Sequence, residues 1–200
     1  MEQKEKKRNL IDKLSRTFFT CKEKIHIYPH RQTIKFVKRN LGKNLVGAEI
    51  GVLDGLHSEN MLKTLQLKKL YLIDPYISYK ETYDGAISDE YDDNWAKEIA
   101  HKRLSRFSEK IEFIEKTSDD AVKDIKEPLD FVYIDGSHNY ENVLRDIQNY
   151  YKKVKVGGVV GGHDFRAGFG VPKAVIEFAE KNKIKLDGIE NDWWFVKAKK

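Results

Sequence analysis

Leu129-Asp-Phe-Val-Tyr-Ile-Asp135-Gly-Ser-His138-Asn-Tyr140, then a helical stretch, then Gly157-Gly158-Val-Val-Gly-Gly-His163-Asp164, is the segment whose reading decides the fold. Two apolar runs of strand length each end at an acidic residue, Asp135 and Asp164, and an amphipathic segment with Val143, Ile147 and Tyr150 on one face joins them. That is a βαβ unit. Its crossover makes the strands parallel, so both carboxyl ends open on one sheet edge and Asp135, His138, His163 and Asp164 are expected to converge there. Acids and imidazoles gathered in such a crevice point to chemistry.

The same alternation extends outward. Leu45 to Val52 reads as a buried strand interrupted by Gly51 and Gly55, with a helix from Ser58, whose hydroxyl suits an N-cap. Lys69 to Asp74 is the next strand, stopped by Pro75. A helix from Asn94 to about Phe107, a strand at Ile111–Ile114 and a short helix from Ser118 through Ile125 come before the deciding segment. After it, Gly157-Gly158 should turn the chain into strand Val159-Val160, and Pro172 suits a helix first turn. Two short strands, Ile184 to Ile189 and Trp193 to Ala198, close the chain without a helix between them, which implies an antiparallel edge. The expected fold is α/β: a doubly wound, Rossmann-like sheet of about seven strands with an antiparallel last strand, at residues 45–200. Residues 1–44 are expected to form an N-terminal helical extension, with helices over about 1–24 and 30–40.

Residues 75–93 carry Tyr76, Tyr79, Tyr83, Gly85 and Tyr91 without a period. A segment of this kind is read as a substrate-facing lid in preference to a disordered insertion. Trp193 and Trp194 are neighbours in a strand and must face opposite ways, one to the core and the other to an edge or a substrate rim. Tyr150 and Tyr151 are read as helix packing.

Lys plus Arg outnumber Asp plus Glu by 37 to 32, and the excess sits in residues 1–8 and in the last four residues. The body is neutral, so the basic ends read as solvated, and neither nucleic acid nor membrane is expected as a partner. A single cysteine, Cys21, excludes an internal disulfide framework and a Cys-rich zinc site. No run of about 18 apolar residues and no signal-type start occur, so a cytoplasmic setting is expected. Phe18 and Phe19 are candidates for a homodimer contact.

The glycine turn Glu49-Ile-Gly51-Val-Leu53-Asp-Gly55 stands where a dinucleotide fingerprint would, with Asp74 near the offset of about 20 residues used for ribose hydroxyls. Leu53 replaces the glycine that lets backbone approach a pyrophosphate, and no lysine follows Gly55. A cofactor with an adenosine but no phosphates, S-adenosyl-L-methionine, accounts for both facts. Asp74 would bind the ribose, Gly51 would make room for the amino-acid part, and Glu49 would orient its amino group or the turn. A structural βα turn with Asp74 as a strand terminus is the plainer alternative.

Taken together, Glu49 to Gly55, Leu72-Ile-Asp74-Pro75, Ser118-Asp119, Ile134 to Tyr140 and Gly157 to Asp164 resemble, in order over about residues 45–180, the motifs of class I S-adenosylmethionine-dependent methyltransferases. The branch most resembled is the small O-methyltransferases that include macrocin-type sugar enzymes. The resemblance implies a cofactor site built from Glu49, Gly51, Gly55, Ser58, Asp74, Ser118, Asp119 and Asp135, with Ser118 and Asp119 beside the adenine.

Methyl transfer to an alcohol requires loss of the hydroxyl proton. His138 is the candidate base and, with Asp135, the candidate catalytic pair. Mg²⁺ or another divalent cation on Asp135 and Asp164 would lower the alcohol's pKa. His163 stands where metal-dependent relatives carry an acid; it is read as a third metal ligand for a softer ion, as a hydrogen-bond partner of a carboxylate, or as a structural turn residue. Asp135 as a helix cap and His138 as a loop histidine are the plainer readings of those two. The expected activity is O-methylation of a small or sugar-like acceptor. The rivals are a nicotinamide-dependent oxidoreductase and a non-catalytic nucleoside-binding domain.

Overall fold

The computed structural model describes residues 31–77, 82–83, 86–87, 93–166 and 170–198. The expectations for residues 1–24, including Phe18, Phe19 and Cys21, and for most of the 75–93 lid lie outside these residues. Chain order is α1 (Gln32–Asn40), β1 (Leu45–Ile50), α2 (Leu56–Thr64), β2 (Leu67–Ile73), α3 (Asp93–Leu104), β3 (Ile111–Ile114), α4 (Ser118–Ala121), β4 (Leu129–Ile134), α5 (Tyr140–Lys153), β5 (Val154–Gly162), α6 (Val171–Asn182), β6 (Asp187–Ile189) and β7 (Asp192–Val196). A two-residue ladder pairs Thr82–Tyr83 with Ala86–Ile87.

Seven strands form one sheet in the order β3-β2-β1-β4-β5-β7-β6. The pairs from β3 to β5 are parallel, and β7 runs antiparallel to both β5 and β6. The order reverses between β1 and β4, so the crevice at their carboxyl ends is the topological switch point where doubly wound sheets bind ligands.

The central strands are largely apolar because both faces are covered. Leu70 and Leu72 of β2 join a core with Ile34 and Val37 of α1, Met61 of α2 and Leu104 of α3. Tyr71 and Ile73 point the other way, into a second core that also holds Val143 and Ile147 of α5 and Val175 of α6. The same period of two places Trp193 in one core and Trp194 in the other. Both indoles are buried, so the expected rim aromatic is absent: α1 covers the face that holds Trp194. The compact unit starts at Arg31, and α1 packs within it.

Several boundaries differ from expectation for local reasons. α2 begins at Leu56 with Gly55 at its N-cap, and Ser58 is a buried first-turn residue with no capping role. Asp54 supplies the turn instead, accepting the Leu56 N–H at 3.0 Å. α3 ends at Leu104 and tightens into a 3-10 segment over Ser105–Lys110. α4 closes at Ala121, short of Ile125. β5 starts at Val154, ahead of the double glycine, and its register against β4 shifts between Leu129 and Phe131. Asn139 caps α5, its side chain accepting the Glu141 N–H at 3.0 Å, which leaves Asp135 without that duty.

Candidate active site

Asp74 and Asp135 leave β2 and β4 on either side of β1, at the same edge of the sheet. The turn after β1 is pressed against both. Gly51 N–H donates to Ile73 O at 2.9 Å, and Asp135 N–H donates to Ile50 O at 2.8 Å. Gly51 has φ 86°, and a Cβ there would lie 2.2 Å from Asp135 O. Backbone conformation and close approach both demand glycine. Gly51→Ala is expected to weaken cofactor binding at least about tenfold by pushing the turn off the Asp135 strand end, read by calorimetric titration with S-adenosylhomocysteine.

Asp74 holds the turn from the other side. Its Oδ2 accepts the N–H groups of Val52 and Leu53 at 2.9 and 3.0 Å, and its Oδ1 accepts that of Tyr76 at 2.9 Å. Leu53, at φ 49°, is kept in the left-handed region by that bond. A carboxylate has about four lone-pair sites, so Oδ1 retains one for a ligand hydroxyl.

Glu49 is buried at the end of β1, where its carboxylate meets His57 Nδ1 at 2.7 Å and accepts the Ser58 hydroxyl. Ser58 therefore serves Glu49. His57 was not singled out by sequence reasoning, since an eight-residue offset across a turn is no motif. Its ring lies 4.4 Å from that of Tyr133, and its Nε2 is buried without a partner. Gly55 serves packing: a Cβ there would come within 3.2 Å of Ala100 Cα on α3.

Ser118 and Asp119 open α4 four residues beyond β3. Their side chains are committed to α5: the Ser118 hydroxyl donates to Asp146, and Asp119 accepts from Asn149 at 2.9 Å and faces Arg145 Nε at 2.7 Å.

The expected acid and imidazole cluster forms. His138 Nε2 lies 2.6 Å from Asp164 Oδ2, and His163 Nδ1 lies 3.3 Å from Asp164 Oδ1 and 3.7 Å from Asp135 Oδ1. Among the described residues, the ligand atoms that lie within 4.8 Å of one another come from Asp135, His138 and Asp164. His163 stands outside that trio and turns Nε2 toward Asp192 at 4.0 Å. A recess lined by Ile134, Asp135, Ser137, His138, Asp164 and Trp193 opens beside the cluster.

The two acids are tuned in opposite directions. Burial lifts the Asp135 carboxyl above its usual range, with Arg31, His163 and His57 pulling it back. Burial acts on Asp164 too, but hydrogen bonds with His138 and His163 outweigh it and hold that carboxyl well below its usual range. Divergent neighbouring acids are a mark of functional sites. Asp164 is also held at φ 56°, uncommon for a residue with a side chain. Arg31, Asp192 and Tyr133 complete the surroundings: Arg31 Nη2 lies 3.5 Å from Asp135 Oδ2, and Tyr133 OH donates to Asp192 at 3.3 Å. No sequence spacing links Arg31 to Asp135, 104 positions away.

Residues 48–165 match the family described as Methyltransferase domain. The chain belongs to that family. The match runs from β1 through β5, so the glycine turn and the acid and imidazole cluster both lie within it. The chain is 31% identical over 98 residues to an uncharacterized protein, y4gI, of Sinorhizobium fredii, an alignment that covers 46% of this chain and 10% of that one. It thus spans about a tenth of the curated relative's length. Its fold is that of an rRNA methylase from Streptococcus thermophilus (TM-score 0.62, 16% identity, 88% and 99% of the two chains). An O-methyltransferase from Bacillus cereus in complex with S-adenosylhomocysteine is similar (TM-score 0.60, 16% identity, 86% and 82%). MycE, a methyltransferase of the mycinamycin biosynthetic pathway in complex with Mg and S-adenosylhomocysteine, matches at TM-score 0.54 and 18% identity over 82% and 48%. These likenesses, at low identity, bear on the fold. The nicotinamide reading is not favoured by a methyltransferase family match.

No helix among the described residues is long and apolar enough to cross a membrane.

Proposed function

We propose that the chain is an S-adenosylmethionine-dependent O-methyltransferase that acts on a hydroxyl of a small or sugar-like acceptor. The observation that carries this reading is the abutment of the family's glycine turn on the acid and imidazole cluster, through Gly51 and Asp135. One crevice then holds a cofactor cradle and a proton acceptor.

The residues present fit the cofactor. Gly51 lets the turn lie directly against the Asp135 backbone, which fills the space expected for the amino-acid part, Asp74 keeps a lone-pair site for a ribose hydroxyl, and His57 Nε2 is a buried polar atom without a partner. S-adenosylmethionine supplies an electrophilic methyl on a sulfonium. The protein supplies alignment and proton transfer. Asp164 stays ionised and can only accept, so it fixes His138 as the tautomer with its proton on Nε2. His138, held by Asp164, would then be the residue that takes the proton of the acceptor hydroxyl when the cofactor supplies its methyl group. Asp164 stabilises the resulting imidazolium, as the acid does in a carboxylate and histidine pair.

The donor set of Asp135, His138 and Asp164 also fits a divalent cation, and the nitrogen favours Mn²⁺ over Mg²⁺. Such an ion would lower the pKa of the acceptor hydroxyl. Asp135 and Asp164 would hold it. Ligation through His138 Nε2 would exclude donation from that atom to Asp164.

Titration calorimetry tests the core of the reading. S-adenosylhomocysteine is expected to bind well below about millimolar concentration, and NADH is not. No heat with S-adenosylhomocysteine at about millimolar concentration would remove the assignment.

A further inference from the structure

Arg31 is the first residue of the compact unit and directly precedes α1. Its place is fixed by its neighbours on α1: Thr33 N–H donates to Asp192 Oδ2 at 2.9 Å, and the Thr33 hydroxyl donates to Trp193 O at 3.1 Å. The guanidinium is delivered to the cluster with Nη2 3.5 Å from Asp135 Oδ2. Asp192 and Asp164 are the other carboxylates whose charge acts on it. The Arg31 side chain is 23% exposed and that of Asp135 17%, so water screens the pair poorly.

A guanidinium keeps its charge at every relevant pH and cannot ligate a metal ion. Asp135 is nevertheless one of the three groups whose ligand atoms could hold one. The two cations therefore address the same carboxylate. A divalent ion at Asp135 would feel the like charge of Arg31 through a largely dry medium, where such terms are strong. The contact at 3.5 Å is long for a charge-assisted hydrogen bond, so it is loose enough to be displaced.

We infer that Arg31 is a built-in cation that competes with a divalent metal ion for Asp135 and so sets the metal affinity of the Asp135, His138 and Asp164 cluster. This rests on the metal part of the reading above. Without metal, Arg31 lies against Asp135 Oδ2; with metal, it must yield to the ion at that carboxylate. The cluster is thereby equipped to work across a range of metal supply.

The test is Mn²⁺ titration of the full chain, followed by the loss of the free-ion paramagnetic resonance signal, in wild type, Arg31→Gln, Arg31→Met and Arg31→Lys. Arg31→Gln and Arg31→Met, the second of which keeps an apolar stem, are expected to bind Mn²⁺ at least about tenfold more tightly than wild type. Arg31→Lys, which keeps the charge, should stay within about threefold of wild type. Affinity unchanged or weaker in both neutral variants overturns the inference, and so does tightening in Arg31→Lys equal to that in Arg31→Gln. Asp164→Asn, which removes a ligand whatever Arg31 does, should abolish uptake if the cluster is the metal site. Should S-adenosylhomocysteine bind normally while Mn²⁺ uptake ignores Arg31, the methyltransferase reading stands and this inference falls. Should the cofactor fail to bind, the Mn²⁺ series still reads Arg31, since it needs neither cofactor nor acceptor.

Discussion

Asp135→Asn is expected to lower kcat by about a thousandfold while S-adenosylhomocysteine affinity changes by less than about fivefold. The substitution keeps shape and one carbonyl acceptor but removes the charge that Arg31 and His163 face, at 3.5 and 3.7 Å. Two consequences add. The cluster gains net positive charge, which disfavours building an imidazolium on His138 during proton transfer. Any divalent ion loses one of its two carboxylate oxygens, and with it the means of lowering the acceptor's pKa. Cofactor affinity should shift little, because the turn is held by backbone bonds: Asp135 N–H to Ile50 O and Gly51 N–H to Ile73 O both survive the change. Single-turnover methyl transfer and calorimetry on the same preparation separate the two quantities. Turnover within about tenfold of wild type would remove Asp135 from the chemistry, and a parallel collapse of cofactor binding would make it a structural residue.

The sheet was legible because period and termination agree along the chain. Leu70 to Ile73 and Phe131 to Ile134 are apolar at every position, which only a parallel sheet covered on both faces accommodates, and each run ends in an acid. The closing strands were readable for the opposite reason: a gap of two residues between β6 and β7 has no room for a crossover. Boundaries were less legible where side chains answer to distant partners. Ser58 has the chemistry of a cap, but Glu49 takes its hydroxyl, and Asp54 builds the turn. One of Trp193 and Trp194 was expected at an edge or rim, but α1 packs over β7 and both indoles are buried.

At the candidate site, the acids and imidazoles that follow strand ends were legible because position in a parallel sheet fixes them without knowledge of side chains. His57, Arg31 and Asp192 were not. Each reaches the crevice from an element whose packing angle no local pattern encodes, and Arg31 arrives through a helix anchored to β7 by Thr33. Asp146 is a further case: sequence reasoning did not single it out, yet this carboxylate on α5 is buried against Ser118.

That burial has a measurable cost at alkaline pH. Removal from water pushes the Asp146 carboxyl up to about 7, with the charge of Asp119 adding to the rise and the Ser118 hydroxyl and Arg145 opposing it. In the unfolded chain the group titrates near 3.9. Between those values the folded protein holds a proton that the unfolded chain has released, so stability falls as pH rises through the window. The favourable contribution is complete below the unfolded value and gone above the folded one. A separation of about three units corresponds to about 4 kcal/mol, a large share of the roughly 5–15 kcal/mol that keeps a domain folded. Asp146→Asn carries no such titration and can still accept from Ser118. It is therefore expected to match wild type within about 1 kcal/mol near pH 4.5 and to exceed it by about 2–4 kcal/mol at pH 8.5, in urea unfolding followed by tryptophan fluorescence. The diagnostic is the difference between the two proteins as pH changes, because every other group titrates in both. Parallel profiles would mean that Asp146 ionises in the fold as readily as in water, and its bond with Ser118 would then be an ordinary surface contact. A rising difference would identify α5 as the helix whose packing on α4, through Asp146 and Ser118, tightens on acidification.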